Sequence, residues 1–271
     1  MKTLKIIALL TVLVGVQSFA GIAGSKHDLS TNGGGNLAST TVDEICVFCH
    51  TPHGSDSSFE GAPLWNKAAA PTSGYKMYGA AAVDTAGTTI ASSSTGSATG
   101  PSNPSKACLS CHDGVSAINS IANAPGSGLY NADIPNGGYA ALGTSNNATA
   151  VTMANIDTYD AGGAGSAGGI TNIGTDLTND HPISVTYTAG KASLRATTYD
   201  LSTAPAADFR WQNSVGAIST ILRGTAKDKV ECSTCHDPHL GPTGTGSTRQ
   251  ELFLRSGNND KSKLCLGCHD K

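Results

Sequence analysis

Four times along the chain, two cysteines separated by two residues are followed at once by a histidine: Cys46, Cys49, His50; Cys108, Cys111, His112; Cys232, Cys235, His236; and Cys265, Cys268, His269. All 8 cysteines fall in these motifs and none is left over. The pattern is that of covalent haem attachment. Two thiols add to the porphyrin vinyl groups, and the adjacent histidine reaches the iron as proximal ligand. Cysteine pairs could also build zinc sites or exposed dithiols, and a pair this close in sequence makes an uncommon structural disulfide. None of those uses asks for a histidine after every second cysteine. Four covalently bound haem c groups are therefore expected.

The chain has 8 histidines, so four remain outside the motifs: His27, His53, His181 and His239. Four irons with one protein ligand each have four further axial positions. Supply meets demand if every iron is held by two histidines. Past the initiator only Met77 and Met153 could compete, and neither lies beside a motif; both read as packing residues. His53 and His239 each follow a proximal histidine by three positions. So short a segment does not carry both histidines to opposite faces of one haem. Each is expected on the iron of another motif, which would draw neighbouring haems into contact. His181 lies between motifs II and III and is expected to cap one of them. Six-coordinate irons have no vacant position for a substrate, so the motifs point to an electron carrier and not an enzyme. The enzymatic alternative is a multihaem reductase with one open iron.

Residues 1–20 read as a signal peptide. Lys2 and Lys5 precede an apolar run from Ile6 to Val16, and Ala20 is the small residue before the expected cleavage. That run is short for a transmembrane segment, and no other stretch approaches the length of one. The expected product is secreted, at the cell surface or beyond it, with the periplasm as the alternative. Residues 21–271 form one expected domain.

Its composition is lean. Charged residues are 14% and aromatics 5%, where about a quarter charged is common. Large side chains are too few for an ordinary core, so the porphyrins are expected to supply much of it. The formal charge of −3 becomes more negative once the two leader lysines are gone, which argues against nucleic acid as partner. Ala, Ser, Thr and Gly dominate 80–107, which reads as a surface loop or extended wrap and not a helix, and 119–175 is rich in Gly, Asn and Ala with strong turn signals. Ile183–Thr188 alternates as a short strand, and Ala217–Arg223 has room for a turn or two of helix. The fold expected is a multihaem cytochrome c: mostly irregular chain with short helices and a few short strands wrapped round a haem array.

Five stretches carry a family resemblance: Cys46–His53 (CVFCHTPH), Pro63–Asn66 (PLWN), Cys108–Gly114 (CLSCHDG), Asp180–Ser184 (DHPIS) and Val230–His239 (VECSTCHDPH). They resemble the doubled-CxxCH, secreted multihaem cytochromes of metal-reducing bacteria. With the four motifs and Gly24–Leu29 (GSKHDL), the chain is similar in particular to the OmcE-type tetrahaem cytochromes that polymerise into extracellular nanowires. The resemblance implies bis-histidine haems throughout, a distal ligand at His181, and one distal histidine donated by an adjacent subunit, for which His27 is the candidate. It also implies a head-to-tail polymer, with other multihaem cytochromes and extracellular acceptors such as metal oxides as redox partners. A discrete tetrahaem shuttle shares the same motifs.

Overall fold

The computed structural model describes residues 21–33, 38–39, 42–57, 59, 62, 64–67, 74–77, 100–118, 121–123, 152, 171–191, 193–202, 216–239, 253–255 and 263–270. The expected leader, Met153 and most of the two low-complexity stretches lie outside them. Among the described residues no helix is long and apolar enough to cross a membrane.

Regular structure is confined mainly to the motifs. Helix α1, Asn103–His112, carries motif II. It opens with Pro104 in its first turn, where a missing N–H costs nothing. Gly114, at φ +77, turns the chain just beyond its end, and the Asp113 carboxylate holds that turn by accepting the Val115 and Ser116 N–H groups at 2.9 and 2.6 Å. Helix α2, Cys232–Cys235, carries motif III, and helix α3, Lys263–Cys268, carries motif IV. Motif I lies on a 3-10 turn at Cys46–Phe48. Among the described residues a two-stranded ladder pairs β1, Val185–Thr186, antiparallel with β2, Lys229–Val230. The strand expected over Ile183–Thr188 pairs over only two residues. Ser184 at φ +59 bends it on one side and Gly190 at φ +81 turns the chain on the other. Ala217–Arg223 holds a 3-10 turn, Ile218–Thr220, and the chain reverses at Gly224, φ +80.

The apolar interior is divided. Val42, Phe48, Ile118 and Ile121 pack with Cys111 at their edge, and Phe59, Ala62, Trp65 and Ala107 pack with Cys49. Leu109 and Leu177 form a third cluster with Met77 against it, and Met77 is accordingly a packing residue. Tyr187, Leu201, Ile218, Ile221 and Leu222 form the fourth, bordered by Cys268. Three of the four clusters therefore reach a motif cysteine. Among the described residues, side chains back the attachment points of motifs I, II and IV in separate clusters.

A buried carboxylate fastens α1 to α2. Glu231 is 1% exposed. Its carboxylate accepts from the hydroxyls of Ser102, Ser105 (2.5 Å) and Ser184 (3.0 Å), while its N–H donates to Thr234 Oγ1 at 2.9 Å. Three hydroxyl donors satisfy the charge that burial would otherwise penalise. Ser102 is the residue before α1, yet its hydroxyl is spent on Glu231 and not on capping that helix.

Candidate haem sites

All eight cysteines are free of disulfides, with Cys46 and Cys265 exposed and the rest half-buried. The motifs follow one another in space in their chain order. Burial pushes the Cys49 thiol up to about 12, and the nearby Cys111 of motif II adds to the effect. Cys108 of motif II hydrogen-bonds Cys232 of motif III, which raises Cys108 and lowers Cys232. Burial pushes Cys235 up to about 12, with Cys268 and Cys265 of motif IV contributing. Motif I thus borders II, II borders III, and III borders IV. That order could not be read from the sequence.

Two spare histidines stand opposite proximal ones. The rings of His239 and His50 are nearly parallel, 14° apart, with centroids separated by 6.2 Å. The rings of His27 and His112 are 6.0 Å apart at 64°. Two imidazoles bound to one metal from opposite sides, each through a bond of about 2 Å, hold their centroids roughly 6 Å apart. His27 also stacks on Phe253, centroids 4.1 Å apart and planes at 6°. Burial first, then the rings of His112, His236 and His239, hold His27 down to about 4. A neutral imidazole is the form that binds metal.

The other nitrogen of these rings is engaged. His112 Nδ1 lies 2.8 Å from the Thr171 carbonyl, and His239 Nδ1 lies 3.4 Å from Asp237 Oδ1. A partner at Nδ1 orients each ring and makes Nε2 the candidate metal-ligating nitrogen. Paired motif thiols, opposed imidazoles and Nδ1 atoms set against oxygen partners together fit haem c. His53 and His181 do not join these pairs. Both are exposed, and His181 Nδ1 contacts its neighbour's carbonyl, Pro182 O, at 3.0 Å. His236 of motif III is exposed, and His269 of motif IV is half-buried.

A three-residue clamp recurs at motifs I, III and IV. At motif I it is Leu64, Trp65 and Asn66; at motif IV, Ser193, Leu194 and Arg195; at motif III, Phe253, Leu254 and Arg255. The first residue has positive φ each time (59°, 71° and 53°) and accepts the N–H of the residue after the motif histidine: Thr51, Asp270 or Asp237. The middle residue pairs across that histidine. The third donates its N–H to the carbonyl of the second motif cysteine, Cys49, Cys268 or Cys235, at 2.8–2.9 Å. Its side chain reaches the carbonyl of the residue after the first cysteine. Asn66 donates to Val47 O at 2.6 Å, Arg195 to Leu266 O at 2.9 Å and Arg255 to Ser233 O at 3.1 Å.

The two arginines then part company. Arg255 pairs with buried Asp237 at 2.9 Å, whereas Arg195 meets the largely exposed Asp270 at 3.3 Å. Burial works to raise Asp237, but His239 and Arg255 outweigh it and hold the carboxyl down to about 2. The sequence placed Trp65 near motif I, and its ring meets that of His50 edge-on at 6.0 Å. The other two clamps were missed. The available signal was the repeated Leu-Arg pair at 194–195 and 254–255.

Residues 224–271 match the family model described as the doubled CXXCH motif. A search of curated proteins gives no match. The matched segment contains motifs III and IV, and its paired CxxCH motifs indicate covalently bound haem c, consistent with a multihaem c-type cytochrome.

Proposed function

We propose that the chain binds four haem c groups and passes electrons along them in the order of the motifs, as the subunit of an extracellular cytochrome filament. The observation that carries this reading is the pair of histidine couples at iron-bridging separation, set in a row of four contiguous attachment motifs. Bound haem supplies an iron that accepts and releases one electron, with no bond made or broken. The chain's own residues do the rest. The cysteines tether, His50, His112, His236 and His269 ligate from one side, and the clamps fix the backbone behind three of the four histidines. In this reading His239 is the second ligand at motif I and His27 the second ligand at motif II.

If His27 of the same chain were the second ligand of the iron held by His112, the ligand shared between subunits would be a histidine other than His27. His53 and His181, both exposed, are the histidines left for motifs III and IV, and either is placed to be offered to a neighbour. Export through a cleaved leader, and a filament as the secreted form, rest on the leader-like N-terminus and the resemblance to nanowire cytochromes. Electron microscopy of the red protein sheared from cells, with an absorbance spectrum of the same sample, tests the proposal. Regular filaments with a bis-histidine c-haem spectrum support it. Dispersed monomers with that spectrum would replace the filament with a discrete electron shuttle. A high-spin ferric signal from the native protein would point to a reductase.

A further inference from the structure

We propose that Asp237 sets the reduction potential of the haem at motif I, acting through the ring of His239. The inference rests on His239 as the second ligand of that iron. Asp237 belongs to motif III by sequence, being the residue after His236, so its action on a different haem is not visible from its position in the chain.

The geometry runs through three groups. His239 turns Nδ1 toward Asp237 Oδ1 at 3.4 Å, and its own backbone N–H holds the same oxygen at 3.0 Å. The contact is long for a hydrogen bond, but the backbone bond fixes the acceptor where the ring N–H points. The second oxygen, Oδ2, accepts from Arg255 Nη1 at 2.9 Å, and both side chains are almost fully buried. The clamp anchors that arginine through the carbonyls of Ser233 and Cys235. A carboxylate acting on the far nitrogen of a ligating imidazole raises the basicity of the near one. The more basic ligand stabilises ferric over ferrous iron and lowers the potential. Arg255 works the other way by drawing charge toward Oδ2.

The molecule contains its own controls. His112 at motif II sets Nδ1 against a neutral backbone carbonyl, Thr171 O, where His239 meets a carboxylate. Motif IV repeats the arginine–aspartate pair as Arg195 and Asp270, but there the aspartate is largely exposed and its partner stands at 3.3 Å. Of the motifs with a histidine three residues beyond the proximal one, motif I has Thr51 in the equivalent place, and its hydroxyl donates to the His53 carbonyl at 2.9 Å.

The test is spectroelectrochemistry of the holoprotein, with paramagnetic resonance to follow each ferric iron. His239→Met identifies the haem by exchanging its ligand. Asp237→Asn is expected to raise the potential of that same haem, and Arg255→Gln to lower it, while Asp270→Asn leaves it unchanged. Opposite shifts from two substitutions in one ion pair are not what loosened packing produces. Should Asp237→Asn fail to load haem, Arg255→Gln alone decides, and no downward shift overturns the inference. It is also overturned if the haem marked by His239→Met ignores Asp237→Asn, or if both variants move it the same way. If His239→Met alters no iron, the ligand assignment itself falls, and the inference with it.

Discussion

At the scale of single residues, the molecule depends on a few atoms that turn rings and chain. Replacing His27 by alanine should leave one iron with a single protein ligand. A high-spin ferric signal from one haem is the expected result by paramagnetic resonance, with the haem still covalently attached. Gly114 is a second sensitive point. A methyl group there would stand 2.5 Å from Asn172 Oδ1, on a backbone at φ +77. Gly114→Ala should cost about 1–3 kcal/mol in the chemical denaturation of the holoprotein. Counting histidines in the sequence gave the set of candidate ligands. It also separated His239 from the iron of its own motif, since a three-residue span is too short to bracket one haem. It did not reveal that His50 is the ring opposite His239, because their encounter depends on chain reversals spread over the intervening residues.

At the scale of elements, the clamps explain how motifs with so little helix keep their shape. Three of the five non-glycine residues with positive φ among those described are clamp residues. This is local strain maintained where the surrounding hydrogen bonds over-determine the backbone. Leucine, serine and phenylalanine give no compositional hint of a left-handed conformation, so the clamps left little more in the sequence than the repeated Leu-Arg pair of two of them. Short helices on the motifs were expected, and motifs II, III and IV carry them while motif I lies on a 3-10 turn. Helix α1, however, begins at Asn103, inside the stretch 80–107 expected to hold no helix, because Pro104 in its first turn favours the helical start. Arg255→Lys should lose the donor to Ser233 O while retaining the charge, since an ammonium does not reproduce the guanidinium fork. We expect a loss of roughly 1–3 kcal/mol. Arg195→Lys should cost less, its aspartate being exposed. Denaturant midpoints of the two holoproteins would show the difference. Glu231→Ala removes the acceptor shared by three hydroxyls at the junction of α1 and α2, and should cost about 2–3 kcal/mol by the same measurement.

At the scale of the whole molecule, the four small apolar clusters do not add up to a conventional interior. Porphyrin faces are the apolar surface that would join clusters otherwise bordered by cysteines. The haem-free chain, made with every motif cysteine changed to serine, should therefore show no cooperative thermal transition by circular dichroism. A sharp melt would contradict this. That the fold is irregular could be read from composition, whereas the spatial order of the motifs could not, because it depends on packing between segments far apart in sequence.

The pairing of His50 with His239 has a topological side as well. A shared iron would close a loop of about 190 residues, as a long-range disulfide does, and would restrict the denatured chain by a comparable amount, on the order of 5 kcal/mol. It would also make the molecule tolerant of scission. A protease cutting one bond anywhere between the two rings would leave both fragments fastened to the same metal. They would separate only when a competing ligand or a strong acid dissolved the coordination bond.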